Sequence, residues 1–252
     1  MFRIPKLTDP QVKCFHENGF FILRDAFSRE DISLLSDWSD EMLSRPEETG
    51  KHWVYHEISR KDHNVDLVGR IENIAPFHTG FESLTQALAR PVGQLLGEEA
   101  ALFKEKINFK MPGGDGFKAH QDSQAGWGIY ADFFISALVS IDAATIKNGC
   151  LELSAGHHHQ GVFRTWEPLK EKDMKGMDFH AYPTEPGDII FFDCFTPHKS
   201  EPNLSDSIRR IYYATYNRLS TGQHMAQYYS DKHANFPPDI DRNPNKTYVF
   251  KV

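Results

Sequence analysis

Cysteine, long apolar runs and excess positive charge are all scarce in this 252-residue chain. Its three cysteines, Cys14, Cys150 and Cys194, stand singly among apolar residues, which excludes a disulfide framework and fits free thiols buried in a reducing compartment. No apolar run approaches the roughly 20 residues a helix needs to cross a bilayer. The opening residues Met1-Phe2-Arg3-Ile4-Pro5-Lys6 lack the apolar core of a secretory signal, so the expected location is cytoplasmic. A formal net charge of −7 argues against a nucleic-acid or anionic-membrane partner, since either requires a basic face. Repeats, low-complexity segments and composition breaks are missing too. With 40% hydrophobic residues, the expectation is one domain over 1–252 around one substantial core.

Early helices and later strands divide the chain. Thr8-Asp9-Pro10-Gln11 is a capped helix start, and that helix stops at Gly19 before a buried strand, Phe20-Phe21-Ile22-Leu23. Ser28-Arg29-Glu30-Asp31 opens a second helix with Ile32, Leu35, Trp38 and Met42 on one side. The stretch from Glu47 to His78 reads as irregular, and a third helix from Phe81 to Leu96 is kinked or split at Pro91. From Leu102 to Lys110 the pattern alternates, with Phe103, Glu105, Ile107 and Phe109 on one face and Lys104, Lys106, Asn108 and Lys110 on the other. Strands follow at Phe133–Ile141, Cys150–Leu153, Ile189–Phe192 and Arg209–Tyr216, with a polar insertion between Gly156 and Pro183. The tail from Gln227 to Val252 is expected to run extended over the surface. The fold class is mostly β with flanking helices: a double-stranded β-helix (jelly-roll or cupin-like) with the N-terminal helices packed on one sheet.

Chemistry concentrates at His120-Gln121-Asp122, read with His198 and Arg209 far downstream. On a strand, residues two apart share a face, so this H-x-D aims an imidazole and a carboxylate the same way. A second imidazole from His198 makes two histidines and one carboxylate around a metal with open positions, the ligand set of non-haem Fe(II) oxygenases. Arg209 opens the strand after His198, where a guanidinium can grip a carboxylate with two parallel bonds. Arg210 competes for that role, and only one of two strand neighbours can point inward. His157-His158-His159 reads as a solvated loop, because consecutive histidines do not converge easily on one ion.

At these residues the chain resembles the phytanoyl-CoA dioxygenase-like family of Fe(II)/2-oxoglutarate-dependent oxygenases, from about Thr8 to about Asn217. The carrying motifs are the H-x-D after Pro112-Gly113-Gly114, Asn148-Gly149-Cys150-Leu151-Glu152 with Gly156-His157-His158, and His198-Lys199-Ser200…Asn203…Arg209. The resemblance implies His120, Asp122 and His198 as metal ligands and Arg209 on the 2-oxoglutarate carboxylate, with Ser200 and Asn108 beside it. It departs at His157, where the family usually has serine. The implied reaction consumes 2-oxoglutarate and O2, releases succinate and CO2, and hydroxylates a C–H bond. Asp122 favours hydroxylation over halogenation, because it occupies the coordination place a halide would need.

For the substrate, Lys106, Lys110 and Arg70 offer cations to an acidic group, and Tyr55, Trp127 and Tyr213 offer aromatic faces to an ammonium. Cations with aromatics suit a small zwitterion. The Lys106-Ile107-Asn108-Phe109-Lys110…Pro112-Gly113-Gly114 run resembles family members that hydroxylate aminoethylphosphonates and their N-methylated relatives, preparing C–P bond cleavage. Two alternatives stay open at this stage: a hydroxylase of an acyl-CoA or secondary metabolite, and a metal-binding cupin-like barrel that uses no 2-oxoglutarate. The sequence does not bear on oligomeric state.

Overall fold

The computed structural model describes residues 2–248. Its helices are α1 (Asp9–Asn18), α2 (Arg29–Ser44), α3 (Thr79–Leu96) and α4 (Met225–Asn235). Its strands are β1 (Phe20–Leu23), β2 (Trp53–Ile58), β3 (Asp66–Glu72), β4 (Ala100–Lys110), β5 (Phe117–His120), β6 (Phe134–Ser140), β7 (Leu151–Leu153), β8 (His180–Ala181), β9 (Ile189–Asp193), β10 (His198–Ser200) and β11 (Arg209–Arg218). They form a seven-stranded sheet in the order β1-β9-β6-β11-β4-β3-β2 and a four-stranded sheet in the order β5-β10-β7-β8, all pairings antiparallel. This is the double-stranded β-helix the sequence implied.

Local chemistry sets the helix ends. The Thr8 amide donates to Gln11 Oε1 at 2.8 Å, and the α1 chain leaves the helix through Gly19 at φ 83°. In α2 the Asp31 amide donates to Ser28 Oγ at 3.1 Å, and the Ser28 amide donates back to Asp31 Oδ2 at 3.2 Å. Pro91 does not split α3, which runs unbroken through it. The helix is held from outside by Phe81, Leu84, Leu88, Val92 and Leu95, all essentially buried. Each such side chain contributes roughly 1.5–3 kcal/mol by leaving water, enough to offset the hydrogen bond proline cannot make.

Strand alternation separates two faces of the large sheet. Tyr212, Ala214 and Tyr216 of β11 join Ile107 and Phe109 of β4 in the core under α1–α3. Ile211, partnered by Leu138, Ile190, Phe192, Leu151 and Leu153, fills the space between the sheets, with Tyr213 packed against it. A bulge where β11 pairs β4 between Thr215 and Tyr216 breaks the alternation expected for Phe103. Phe103 therefore packs on Trp127, Phe134 and Tyr228 rather than joining Ile107 and Phe109.

Three other expectations are corrected. The stretch read as irregular from Glu47 to His78 holds the antiparallel pair β2–β3, which extends the large sheet beside β4. Its bulge between Tyr55 and His56 and its mixed polarity hide the period-2 signal. The tail read as extended begins with α4, whose Tyr228 and Tyr229 are buried; residues 249–252 of that tail lie outside the described residues. The histidine run forms a short 3-10 turn in which His158 is buried, its Nε2 3.1 Å from the His16 carbonyl. It sits so close to Gly19 that a Cβ there would lie 2.6 Å from His158 Nδ1. No described helix is long and apolar enough to cross a membrane.

Candidate active site

His120 and His198 face each other as direct cross-strand partners of β5 and β10, with ring centroids 4.2 Å apart. Asp122 is not on the strand; it opens a 3-10 turn one residue beyond it. Gln121 between them keeps an extended backbone (φ −118°, ψ 138°), so the two-residue alternation carries past the strand end and Asp122 still turns toward the histidines. One ligand atom from each of His120, Asp122 and His198 lies within 4.8 Å of the others, and no other such group of three occurs among the described residues.

The surroundings prepare these groups as ligands. His120 Nδ1 lies 2.7 Å from the Lys118 carbonyl, and His198 Nδ1 lies 2.9 Å from the Thr196 carbonyl. A carbonyl only accepts, so each Nδ1 donates and each Nε2 keeps its lone pair for a metal. Burial, then the neighbouring His198, pushes His120 down to about 3, so its imidazole is neutral. Burial alone would raise Asp122, yet His198, Lys104, His120 and Lys106 together hold its carboxyl below the ordinary range. Ser136 Oγ donates to Asp122 Oδ2 at 3.2 Å. A neutral imidazole at His120 and an ionised carboxylate at Asp122 are protonation states that suit metal ligation.

Arg209 and Arg210 part as strand neighbours must. Arg210 points outward and is spent on structure, donating to Asp142 at 2.8 Å and to Asp40 Oδ1 at 2.6 Å on α2. Arg209 points inward on the face of Ile211 and Tyr213 and is 2% exposed. Its Nη1 donates to the Gly149 carbonyl, while its buried Nε has no hydrogen-bond partner among the described residues. Lys110 lies here as well, donating to Ser200 Oγ at 2.8 Å, the Glu201 carbonyl at 2.6 Å and the Gly149 carbonyl at 3.3 Å. Lys110, expected among the substrate cations, shares the Gly149 carbonyl with Arg209 and bonds Ser200. Gly149 at φ 71° is required, because a Cβ would collide with the Glu201 carbonyl and approach Lys110 Nζ to 2.9 Å. Asn108 is buried, and its Oδ1 has no hydrogen-bond partner among the described residues.

Further along the inner face lie Lys104, Lys106, Arg70 and Glu72, brought level by pairing of Arg70 with Asn108 and of Glu72 with Lys106. Arg70 Nε sits 2.8 Å from Glu72 Oε1, and Lys232 of α4 donates to Glu72 Oε2. Burial would raise the Glu72 carboxyl, but Lys232, Arg70, Lys104 and Lys106 hold it far below its ordinary value. Burial also pushes Lys106 down to about 7, with Lys104 and Arg70 adding to the effect. The aromatic groups expected to receive an ammonium already carry the protein's own cations: Arg70 lies 4.4 Å from the Tyr55 ring centroid, Lys104 4.1 Å from Trp127, and Lys106 5.1 Å from Tyr213.

Glu72, Lys232 and the buried amides of Gln121 and Gln124 escaped sequence reading. Gln121 Nε2 donates to the Gly161 carbonyl at 2.8 Å and the Phe195 carbonyl at 2.6 Å, and its Oε1 accepts from the Phe163 amide at 2.9 Å. Gln124 Oε1 accepts from the Gln121 amide at 2.6 Å, and its Nε2 donates to the Glu167 carbonyl at 2.8 Å. The signal available for Lys232 was its place one helical turn after Tyr228.

Known proteins are similar to this chain. A 2-aminoethylphosphonate dioxygenase from uncultured bacterium HF130_AEPn_1 is 36% identical over 246 residues, covering 96% of this chain and 93% of the relative. A methylphosphonate hydroxylase from Gimesia maris is 35% identical over 250 residues, covering 98% and 94%. Among solved structures, EctD from S. alaskensis with 2-oxoglutarate and 5-hydroxyectoine is similar in fold, with a TM-score of 0.75, 22% identity and coverage of 85% of this chain and 77% of that one. The profile of the phytanoyl-CoA dioxygenase (PhyH) family matches residues 15–211. The chain belongs to the phytanoyl-CoA dioxygenase family.

Proposed function

We propose that this enzyme is an Fe(II)- and 2-oxoglutarate-dependent dioxygenase that hydroxylates a small phosphonate, with a 2-aminoethylphosphonate-type zwitterion or its N-methylated form as the preferred substrate. The observation that carries this reading is the interior between the two sheets. There the His120–Asp122–His198 ligand set, at β5 and β10 of the smaller sheet, meets the large-sheet face that bears Arg209, Lys104, Lys106 and Arg70.

The residues fit both absent groups. His120 and His198 offer Nε2 and Asp122 a carboxylate oxygen, a donor set suited to Fe(II). The orphaned Arg209 Nε, the Lys110 ammonium and the Ser200 hydroxyl fit the distal carboxylate of 2-oxoglutarate. When bound, iron with 2-oxoglutarate and O2 supplies the oxidising power that turns C–H into C–OH while succinate and CO2 are released. The chain's own part is placement. Arg209 and Lys110 anchor the cosubstrate, Ser136 orients Asp122, and Lys104 and Lys106, both electrostatically coupled to Asp122, pull a phosphonate toward the triad. With the phosphonate held by those lysines beside the triad, C1, its phosphorus-bound carbon, is the proposed position of hydroxylation.

A second reading, methylphosphonate as substrate, gains from the cations already stacked on Tyr55, Trp127 and Tyr213, which favour an anion over an ammonium. Phosphorus NMR with succinate quantitation separates the two. The proposal expects a hydroxylated 2-aminoethylphosphonate formed with one succinate per product. Succinate formation stimulated by ectoine or an acyl-CoA and by neither phosphonate would overturn it.

A further inference from the structure

The family profile ends at residue 211, before α4 begins at Met225. That helix lies against the β2–β4 end of the large sheet. Its Tyr229 hydroxyl donates to the Glu105 carbonyl at 3.1 Å, and Tyr228 packs on Phe103 with ring centroids 4.6 Å apart. Lys232 lies one turn on, 5.1 Å from the Tyr55 ring centroid and bonded to Glu72.

Four basic side chains, Arg70, Lys104, Lys106 and Lys232, thus gather around the carboxylate of Glu72. Lys104 and Lys106 also feel Asp122, one of the metal ligands. Among the described residues one resident carboxylate faces these four basic groups, so the cluster is short of anions on the side that meets Asp122.

We propose that Lys232, carried by the C-terminal helix, completes with Arg70, Lys104 and Lys106 a receptor for the phosphonate group of the substrate, with Glu72 holding Lys232 and Arg70 in position. The inference rests on the phosphonate reading above and assigns specificity to a segment outside the family profile. Burial pushes Lys232 down to about 7 although Glu72 raises it, so an anion beside it would favour its charged form.

The test uses the full chain with Fe(II) and 2-oxoglutarate, in wild type, Lys232→Gln, Lys232→Arg and the double variant Lys232→Gln/Glu72→Gln. The probe is 2-aminoethylphosphonate, with methylphosphonate as the shorter anion. The expected result is a KM for both phosphonates raised at least tenfold in Lys232→Gln, with the KM for 2-oxoglutarate and the anaerobic Fe(II)–2-oxoglutarate absorption band unchanged. Lys232→Arg should recover most of the loss, and the double variant should stay impaired. If the double variant regains wild-type KM, Lys232 merely neutralises Glu72 and the inference is overturned. An unaltered KM in Lys232→Gln overturns it as well. If neither phosphonate perturbs the wild-type band, the phosphonate reading itself falls, an outcome distinct from the other two.

Discussion

Adjacent residues with the same side chain have opposite duties here, and the strand pleat alone separates them. Arg209 turns toward the ligand set with a free Nε, whereas Arg210 turns out to Asp142 and Asp40. Arg209→Ala is therefore expected to raise the KM for 2-oxoglutarate about 10- to 100-fold, matching the roughly 1.5–3 kcal/mol of charge-assisted hydrogen bonds. Metal affinity should be spared. Arg210→Ala should leave that KM alone and lower unfolding stability by about 2 kcal/mol, because a buried bond to charged partners is lost. Steady-state kinetics and urea unfolding on both variants check the pair, and a reversed pattern would reassign the two arginines. At this scale the sequence was readable: the spacing of His120, Asp122, His198 and Arg209 follows from strand alternation and family motifs. The reach of Lys110 to Ser200 and the Gly149 carbonyl was not readable, because alternation says which face a side chain takes, not how far along that face it reaches.

Elements explain what position-by-position reading missed. The metal loop is short and irregular, and its rigidity comes from the amides of Gln121 and Gln124, which bind it to residues 161–167 and to the chain just before His198. Both amides are fully buried, so every polar atom lost there goes unsatisfied. Gln121→Leu keeps the volume and removes those bonds. It is expected to weaken Fe(II) binding about 10- to 100-fold, as loss of a supporting contact to a metal ligand does. Chelator competition measures this, and an unchanged affinity would show that the loop is held by other means. Glutamine in an H-x-D motif carries no sequence signal for burial, since nothing nearby announces its partners. The β2–β3 pair and α4 were hidden for a related reason. A bulge disrupts the strand period, and the polar face of α4 is buried by cations and rings rather than by aliphatic side chains.

Across the whole molecule, helices close one face of the large sheet and leave the other for chemistry, yet each face buries charge. Glu105 lies under the helices, where its Oε1 accepts the amides of Ile74 at 2.6 Å and Ala75 at 2.9 Å while Oε2 has no partner among the described residues. Burial pushes this carboxyl up to about 8, so it is protonated in the fold at neutral pH. Because the folded value exceeds the unfolded one, folding takes up a proton across that interval. The contribution is complete below the ordinary carboxylate range and is lost as pH rises through about 8. The urea midpoint of the wild type should fall between about pH 6 and pH 9, and Glu105→Gln should flatten that fall; parallel profiles would contradict the assignment. The double-stranded β-helix was legible from strand texture and motif order, while the charged architecture was not, because burial of a lysine or glutamate depends on partners distant in sequence. The most direct test of the central claim is iron X-ray absorption on the anaerobic protein with 2-oxoglutarate, in wild type and His198→Ala. One iron per chain with two imidazole donors, falling to one donor or to no bound iron in the variant, is the predicted result. An unchanged iron environment in His198→Ala would contradict it.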